Sequence, residues 1–134
     1  MTLDNCAAVI TGASAGIGRE LARQLAPRAK LLVLVARRRD RLGGLGVELQ
    51  TKNPALRLEI RDIDLANLEQ TTHLAALLAN EPIDFLINNA GVGDHGSFAT
   101  ADPIHVNEQV LVNVLALTAL TRALLPARSP ALAH

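Results

Sequence analysis

The chain has 134 residues, 49% of them hydrophobic and 19% charged, which is the size and apolar content of one domain with a buried core and excludes a disordered tail. Thirteen basic and thirteen acidic residues cancel, so no global field draws the protein to nucleic acid or to an anionic membrane. The single Cys6 excludes an internal disulfide, and no apolar run approaches the roughly 18 residues of a membrane span, since "KLLVLVARRR" is cut short by arginines.

The opening "MTLDNCAAVITG" lacks the charged, apolar and small-residue segments of a secretory signal. A soluble protein in the reducing cytoplasm is expected. Short apolar runs then alternate with longer helical patterns. "CAAVIT" (6–11) predicts a first strand and "GIGRELARQLAP" a helix; "LLVLVA" (31–36) a second strand and "RDRLGGLGVELQTK" a helix; "LRLEIR" (56–61) a third strand and "NLEQTTHLAALLAN" a helix; "IDFLIN" (83–88) a fourth strand. Three of these strands are apolar almost throughout, as strands buried on both faces of a parallel sheet are, whereas "LRLEIR" alternates and suits an edge. Right-handed crossovers give a doubly wound α/β sheet of order 3-2-1-4 with helices on both faces. After "NNAGVGDHGSFATA", the segment 103–126 predicts one long final helix, with Asp102 as N-cap and Pro103 at the first helical position. Pro126 and Pro130 end it, and the tail "ARSPALAH" has neither the length nor the branching of a strand. One domain over 1–134 is expected.

Glycines 12, 16 and 18 stand in "VITGASAGIGRE" at the first strand-to-helix turn, where open α/β sheets bind ligands and the next helix directs its amino end at the occupant. A pyrophosphate is the natural one. Gly12 allows the tight turn, Gly16 the close approach of the phosphate, Gly18 the packing of helix on strand, and Ser14 adds a hydroxyl donor. A glycine-rich turn without a ligand is the plainer alternative.

"TGASAGIG" followed by "NNAG" at 88–91 resembles the short-chain dehydrogenase/reductase family, whose cofactor turn is TGxxxGxG and whose fourth strand ends in NNAG. Asn113 in "VLVNVLALTALTRALLP" stands in the place of an Asn of the family's catalytic tetrad. The resemblance runs from residue 6 to about 126 and implies a Rossmann-like dinucleotide-binding fold, with Gly12, Ser14, Ala15, Gly16, Ile17 and Gly18 in the cofactor turn. It also implies a small carbonyl or alcohol substrate. NAD-preferring members carry an acidic residue at the end of strand two. Here the position is Ala36, followed by Arg37, Arg38 and Arg39. An arginine meets a 2′-phosphate with a charge-assisted, bidentate pair, so NADP(H) is favoured over NAD(H). Arg37 takes that role and Arg38 can share it, while Arg39 and Arg41 read as a solvated helix start. After strand three, Asp64 and Leu65 fit the adenine contacts best, with Asp62 as competitor; either Asp64 or Asn67 can also cap the next helix. Asn89, Ala90 and Gly91 would line the cofactor ribose, and Asn88 would tie strand four to its neighbours.

The family's chemistry runs through a Ser and a YxxxK helix beyond a fifth strand. This chain contains no Tyr, and its lysines, Lys30 and Lys52, stand in no such setting, so the proton transfer that accompanies hydride transfer is not supplied in the family's way. The chain is expected to be the cofactor-binding half of a longer reductase, truncated before those elements, or a non-catalytic nucleotide-binding or assembly module, inactive alone in either case. Asn113 in an apolar helix can equally bond a neighbouring carbonyl and distort the helix. His73, His95, His105 and His134 lack metal-ligand spacing, and no metal site is expected. Asp94 and His95 stand where the family's substrate pocket begins, though a solvated loop accounts for both. Strand four's free edge and the apolar residues Val106, Val110, Val114, Leu117 and Leu124 of the last helix imply self-association.

Overall fold

The computed structural model describes residues 2–125. A four-stranded parallel sheet of order β3-β2-β1-β4 forms its centre, built from β1 (Cys6–Thr11), β2 (Ala29–Ala36), β3 (Arg57–Asp62) and β4 (Phe85–Ile87). β1 and β2 lie in the middle, and their side chains alternate between two separate cores. Cys6, Ala8, Ile10, Leu32 and Leu34 face helices α1 (Gly16–Leu25) and α2 (Arg39–Lys52), where Ala22, Leu42, Leu45 and Leu49 complete the first core. Ala7, Val9, Leu31, Val33 and Val35 face α3 (Leu68–Ala79) and the last helix, where Leu74, Leu78, Val112, Ala116, Leu120 and Leu124 complete the second. This is why the two central strands read as continuous apolar runs. β3 does sit at one edge, with Leu58 and Ile60 against the first core and Arg57, Glu59 and Arg61 joined in a charged ladder on alternate positions.

Several boundaries depart from the sequence reading, and β3 runs one residue later than expected, over Arg57–Asp62. β2 starts two residues early, at Ala29, because the buried Ala29 and the exposed Lys30 still follow the path of the strand. β4 is cut to three residues. Its leading Asp84 approaches β1 through its amide to Ala7 O (2.7 Å) and its carboxylate to Ala7 N (2.8 Å), ahead of the regular ladder. The final helix is unbroken along the chain but changes its winding, running α4 (Pro103–Val110), a π-helical segment (Leu111–Ala116) and α5 (Leu117–Leu124). Asp102 caps it, its carboxylate accepting from Ile104 N at 3.0 Å with Pro103 in the first turn. Pro126, Pro130, the rest of the tail and His134 lie outside the described residues.

Burial pushes the Cys6 thiol above its ordinary range. Among the described residues no helix is long and apolar enough to cross a membrane, and no group of three or more His, Cys, Asp or Glu side chains is placed to share a metal ion.

Candidate functional site

The carboxyl ends of all four strands open on one cavity of about 460 Å³. Its floor is a cross-tie between the ends of β1 and β4. Thr11, 1% exposed, accepts from the amides of Asn89 and Ala90 through Oγ1 (both 3.0 Å), and Asn89 Nδ2 donates to Thr11 O (3.1 Å) and Gly12 O (3.2 Å). A threonine at the end of an otherwise apolar strand is the sequence signal for this lock. Asn88, expected to tie β4 to its neighbours, donates to Thr121 Oγ1 on α5 (3.0 Å). Both asparagines lie just past β4, and the side chain of Asn89 reaches β1 while that of Asn88 reaches the helix layer.

On this floor Gly12, Ser14, Ala15 and Gly16 line one wall. Gly12 has φ +67°, and a Cβ there would lie 2.9 Å from Ala90 Cα; Gly16 has φ +54°, and a Cβ there would meet only open space. Gly18 is buried, and a Cβ would lie 2.3 Å from Gly12 O, so bare main chain is required where α1 crosses β1. Ala15 precedes α1 without a side-chain cap, which leaves the first amides of the helix free for an anion at this end. Gly18 and Ile17 do not line the cavity, Ile17 being 74% exposed.

The second wall comes from the end of β2. Ala36, Arg37, Arg38 and Arg41 line it. Arg39 does not, and its guanidinium is paired with Asp62 at 2.9 Å. The third wall is the turn after β3, with Ile63, Asp64, Leu65 and Ala66. Asp64 forms an Asx turn, its Oδ1 accepting from Ala66 N at 2.9 Å, and its own amide donates to Gln70 Oε1 at 2.9 Å. The cap of α3 is Asn67, which accepts from Gln70 N at 3.0 Å. Of the two aspartates, Asp64 is therefore at the cavity and Asp62 is engaged outside it. Asn89, Ala90, Gly91 and Val92 close the rim with Glu108 and Val112 from the last helix.

Asn113 is not a lining residue. Its Oδ1 accepts from Val92 N at 2.9 Å and its Nδ2 donates to Val92 O at 2.7 Å. This reciprocal pair joins the π-helical segment to the chain after β4 and pins it there. Asp94 and His95 line a separate hollow of about 150 Å³ with Phe98 and Gln109, and Asp94 Oδ1 accepts from His95 N at 2.7 Å. Arg41, Glu108, Val112 and Ile63 were not legible as lining residues: folding brings the π-helical region and the first turn of α2 to the cavity, and no local motif marks them.

The arrangement can hold an extended ligand with phosphate against the α1 turn and an anionic group against the arginines. The family model for short chain dehydrogenases matches residues 6–130. A very-long-chain 3-oxoacyl-CoA reductase of Podospora anserina is 36% identical over 124 residues, covering 89% of this chain and 36% of that protein. An NADP-dependent 3-hydroxy acid dehydrogenase of Schizosaccharomyces pombe is 36% identical over 132 residues, covering 92% of this chain and 49% of that protein. Among solved structures, a short-chain dehydrogenase from Sphingobium yanoikuyae in complex with NADPH superposes with a TM-score of 0.86 at 33% identity, covering 91% of this chain and 48% of that one. The chain thus spans half or less of the length of these relatives.

Proposed function

The chain belongs to the short chain dehydrogenase family, and we propose that it forms, as a single domain, the NADP(H)-binding part of an oxidoreductase acting on a carbonyl or alcohol substrate. One observation carries the choice of cofactor. The end of β2 presents Ala36, Arg37 and Arg38 to the cavity and no carboxylate, and a guanidinium attracts the 2′-phosphate that an acidic residue there repels. The dinucleotide, when bound, supplies hydride transfer. The turn from Gly12 through Ser14 and Ala15 to Gly16, with the amides of Ile17 and Gly18 at the start of α1, would hold the pyrophosphate. Asp64 and Leu65 would contact the adenine, and Asn89, Ala90 and Gly91 the ribose, where small residues keep the volume open. Asn113 holds the main chain of Val92, and so acts by positioning this rim. A reducing, cytoplasmic setting accords with the single, buried Cys6.

Titration with NADPH and NADH tests this reading. The wild-type chain is expected to prefer NADPH, and Arg37→Asp to reverse the order by roughly ten- to hundredfold, the scale of a charge-assisted pair replaced by repulsion. Equal affinities before and after the change would sink the assignment.

Association with further polypeptide is part of the proposal. Ile104, Val110, Val114 and Leu117 on the last helix are 70%, 55%, 57% and 41% exposed, and β4 is an edge strand. Apolar side chains exposed on one helix, and a strand that forms the edge of the sheet among the described residues, favour an interface. Elution of the chain on a sizing column should shift to larger size with concentration; a clean monomer across the range would remove this inference.

A further inference from the structure

Helix α2 is built unevenly along its length. Its first half carries three glycines, at 43, 44 and 46, and a glycine weakens a helix interior because it gives up the most backbone freedom on ordering. Gly46 has a packing cause. A Cβ there would lie 2.6 Å from Leu58 Cδ2 on β3, whereas at Gly43 and Gly44 it would meet nothing within 4 Å, and neither backbone is left-handed. These two weaken the helix with no steric requirement to explain them. We propose that α2 is a hinged helix, whose first half, residues 39–46, opens as a unit of its own while the second half stays docked.

The ties of the two halves differ in the same sense. Glu48 receives Arg23 of α1 at 2.8 and 3.2 Å, Gln50 Nε2 donates to Leu56 O at 3.1 Å, and Asn53, which follows the last turn, donates from Nδ2 to Ala26 O at 2.8 Å. The second half is thus held to α1, to the turn before β2 and to the approach to β3. The start of the helix lacks such support: its N-cap, Arg38, makes no side-chain capping bond, and Arg39 and Arg41 set two cations against one Asp40 at the positive end of the dipole. Arg39 reaches Asp62, but both side chains are exposed, and a pair of that kind contributes little. Leu42 and Leu45 pack in the first core, so the closed form is the resting one. Because Arg41 lines the cavity, opening displaces part of the second wall. That a bound dinucleotide holds the segment closed rests on the NADP(H) reading above.

Amide hydrogen exchange of the chain tests this, in the wild type and in the double variant Gly43→Ala/Gly44→Ala, with and without NADPH. In the free wild type, the amides of 42–46 should be protected at least about tenfold less than those of 48–53, as a locally opening segment is. The double variant should raise the protection of 42–46 roughly five- to thirtyfold, the helix preference of two alanines over two glycines. Equal protection of the two halves in the wild type would overturn the hinge. So would a difference that the double variant leaves unchanged, since the glycines would then not be its cause. NADPH at ten times its dissociation constant should slow exchange of 42–46 about tenfold, if the open form does not bind. Unchanged exchange there with NADPH shown by titration to be bound would overturn the link to the cavity. NADPH that does not bind at all would overturn the NADP(H) reading, while the two halves of the free chain still decide the hinge.

Discussion

Gly16→Val is expected to abolish NADPH binding while the protein stays folded, and Gly18→Ala to strike the fold first. The two glycines lie two residues apart, yet a side chain would meet opposite surroundings. At Gly18 an added Cβ would lie 2.3 Å from Gly12 O and 2.4 Å from Asn89 Nδ2. Neither can step aside freely, since Gly12 O is main chain and Asn89 Nδ2 is held by Thr11 O and Gly12 O. Relief requires α1 to lift from β1 or the β1–β4 lock to open, at a cost of about 3 kcal/mol or more. At Gly16 the added atom would meet nothing within 4 Å. Its cost is the φ of +54°, about 1–3 kcal/mol for a branched residue, and its branches would enter the space beside Ser14 and Ala15. Denaturant unfolding of both variants, with NADPH titration of Gly16→Val, separates the effects. NADPH affinity within twofold of wild type in Gly16→Val would remove this turn from the site. Wild-type stability of Gly18→Ala would show that the helix tolerates a gap there.

That contrast also shows what a sequence can carry. The roles expected of Gly12 and Gly18 depend on a turn and a close crossing, which the order strand, glycines, helix already implies, and both have the predicted geometry. The sheet order follows from the same alternation, because two central strands must be apolar on both faces while β3 alternates at the edge. What stayed hidden is long-range. The π-helical segment is invisible to a count of apolar spacings, and so is the pair of bonds that joins its Asn113 to Val92, 21 residues away. Arg39 and Arg41 are indistinguishable in the string "ARRRDR"; only Asp62, brought alongside by the β2–β3 pairing, separates the paired one from the one that faces the cavity. Likewise the choice between Asp62 and Asp64 needed the turn after β3, where Ala66 N and Gln70 hold Asp64 in place.

These 134 residues are expected to bind NADPH and yet reduce no carbonyl compound above background. Hydride arriving at a carbonyl carbon leaves an alkoxide, and a positioned acid that protonates it contributes about 10²- to 10⁴-fold to the rate. The chain holds no Tyr. Its lysines are both remote from the cavity: Lys30 is the exposed second residue of β2, at the end away from the site, and Lys52 closes α2, 3.8 Å from Glu48. Asn113 is occupied at both its polar atoms by Val92. Among the described residues, groups that can carry a proton near the rim are Glu108, which lines the cavity and faces His105, and His95, in the neighbouring hollow with Asp94. NADPH oxidation should therefore be followed over a panel of aldehydes and ketones, with wild type and His95→Ala side by side and binding checked in both. Turnover lost on His95→Ala with binding intact would show that the loop after β4 replaces the missing acid. Turnover that survives it would show that hydride transfer proceeds here with another proton source, Glu108 or solvent, and either result would overturn the expectation of binding without reduction.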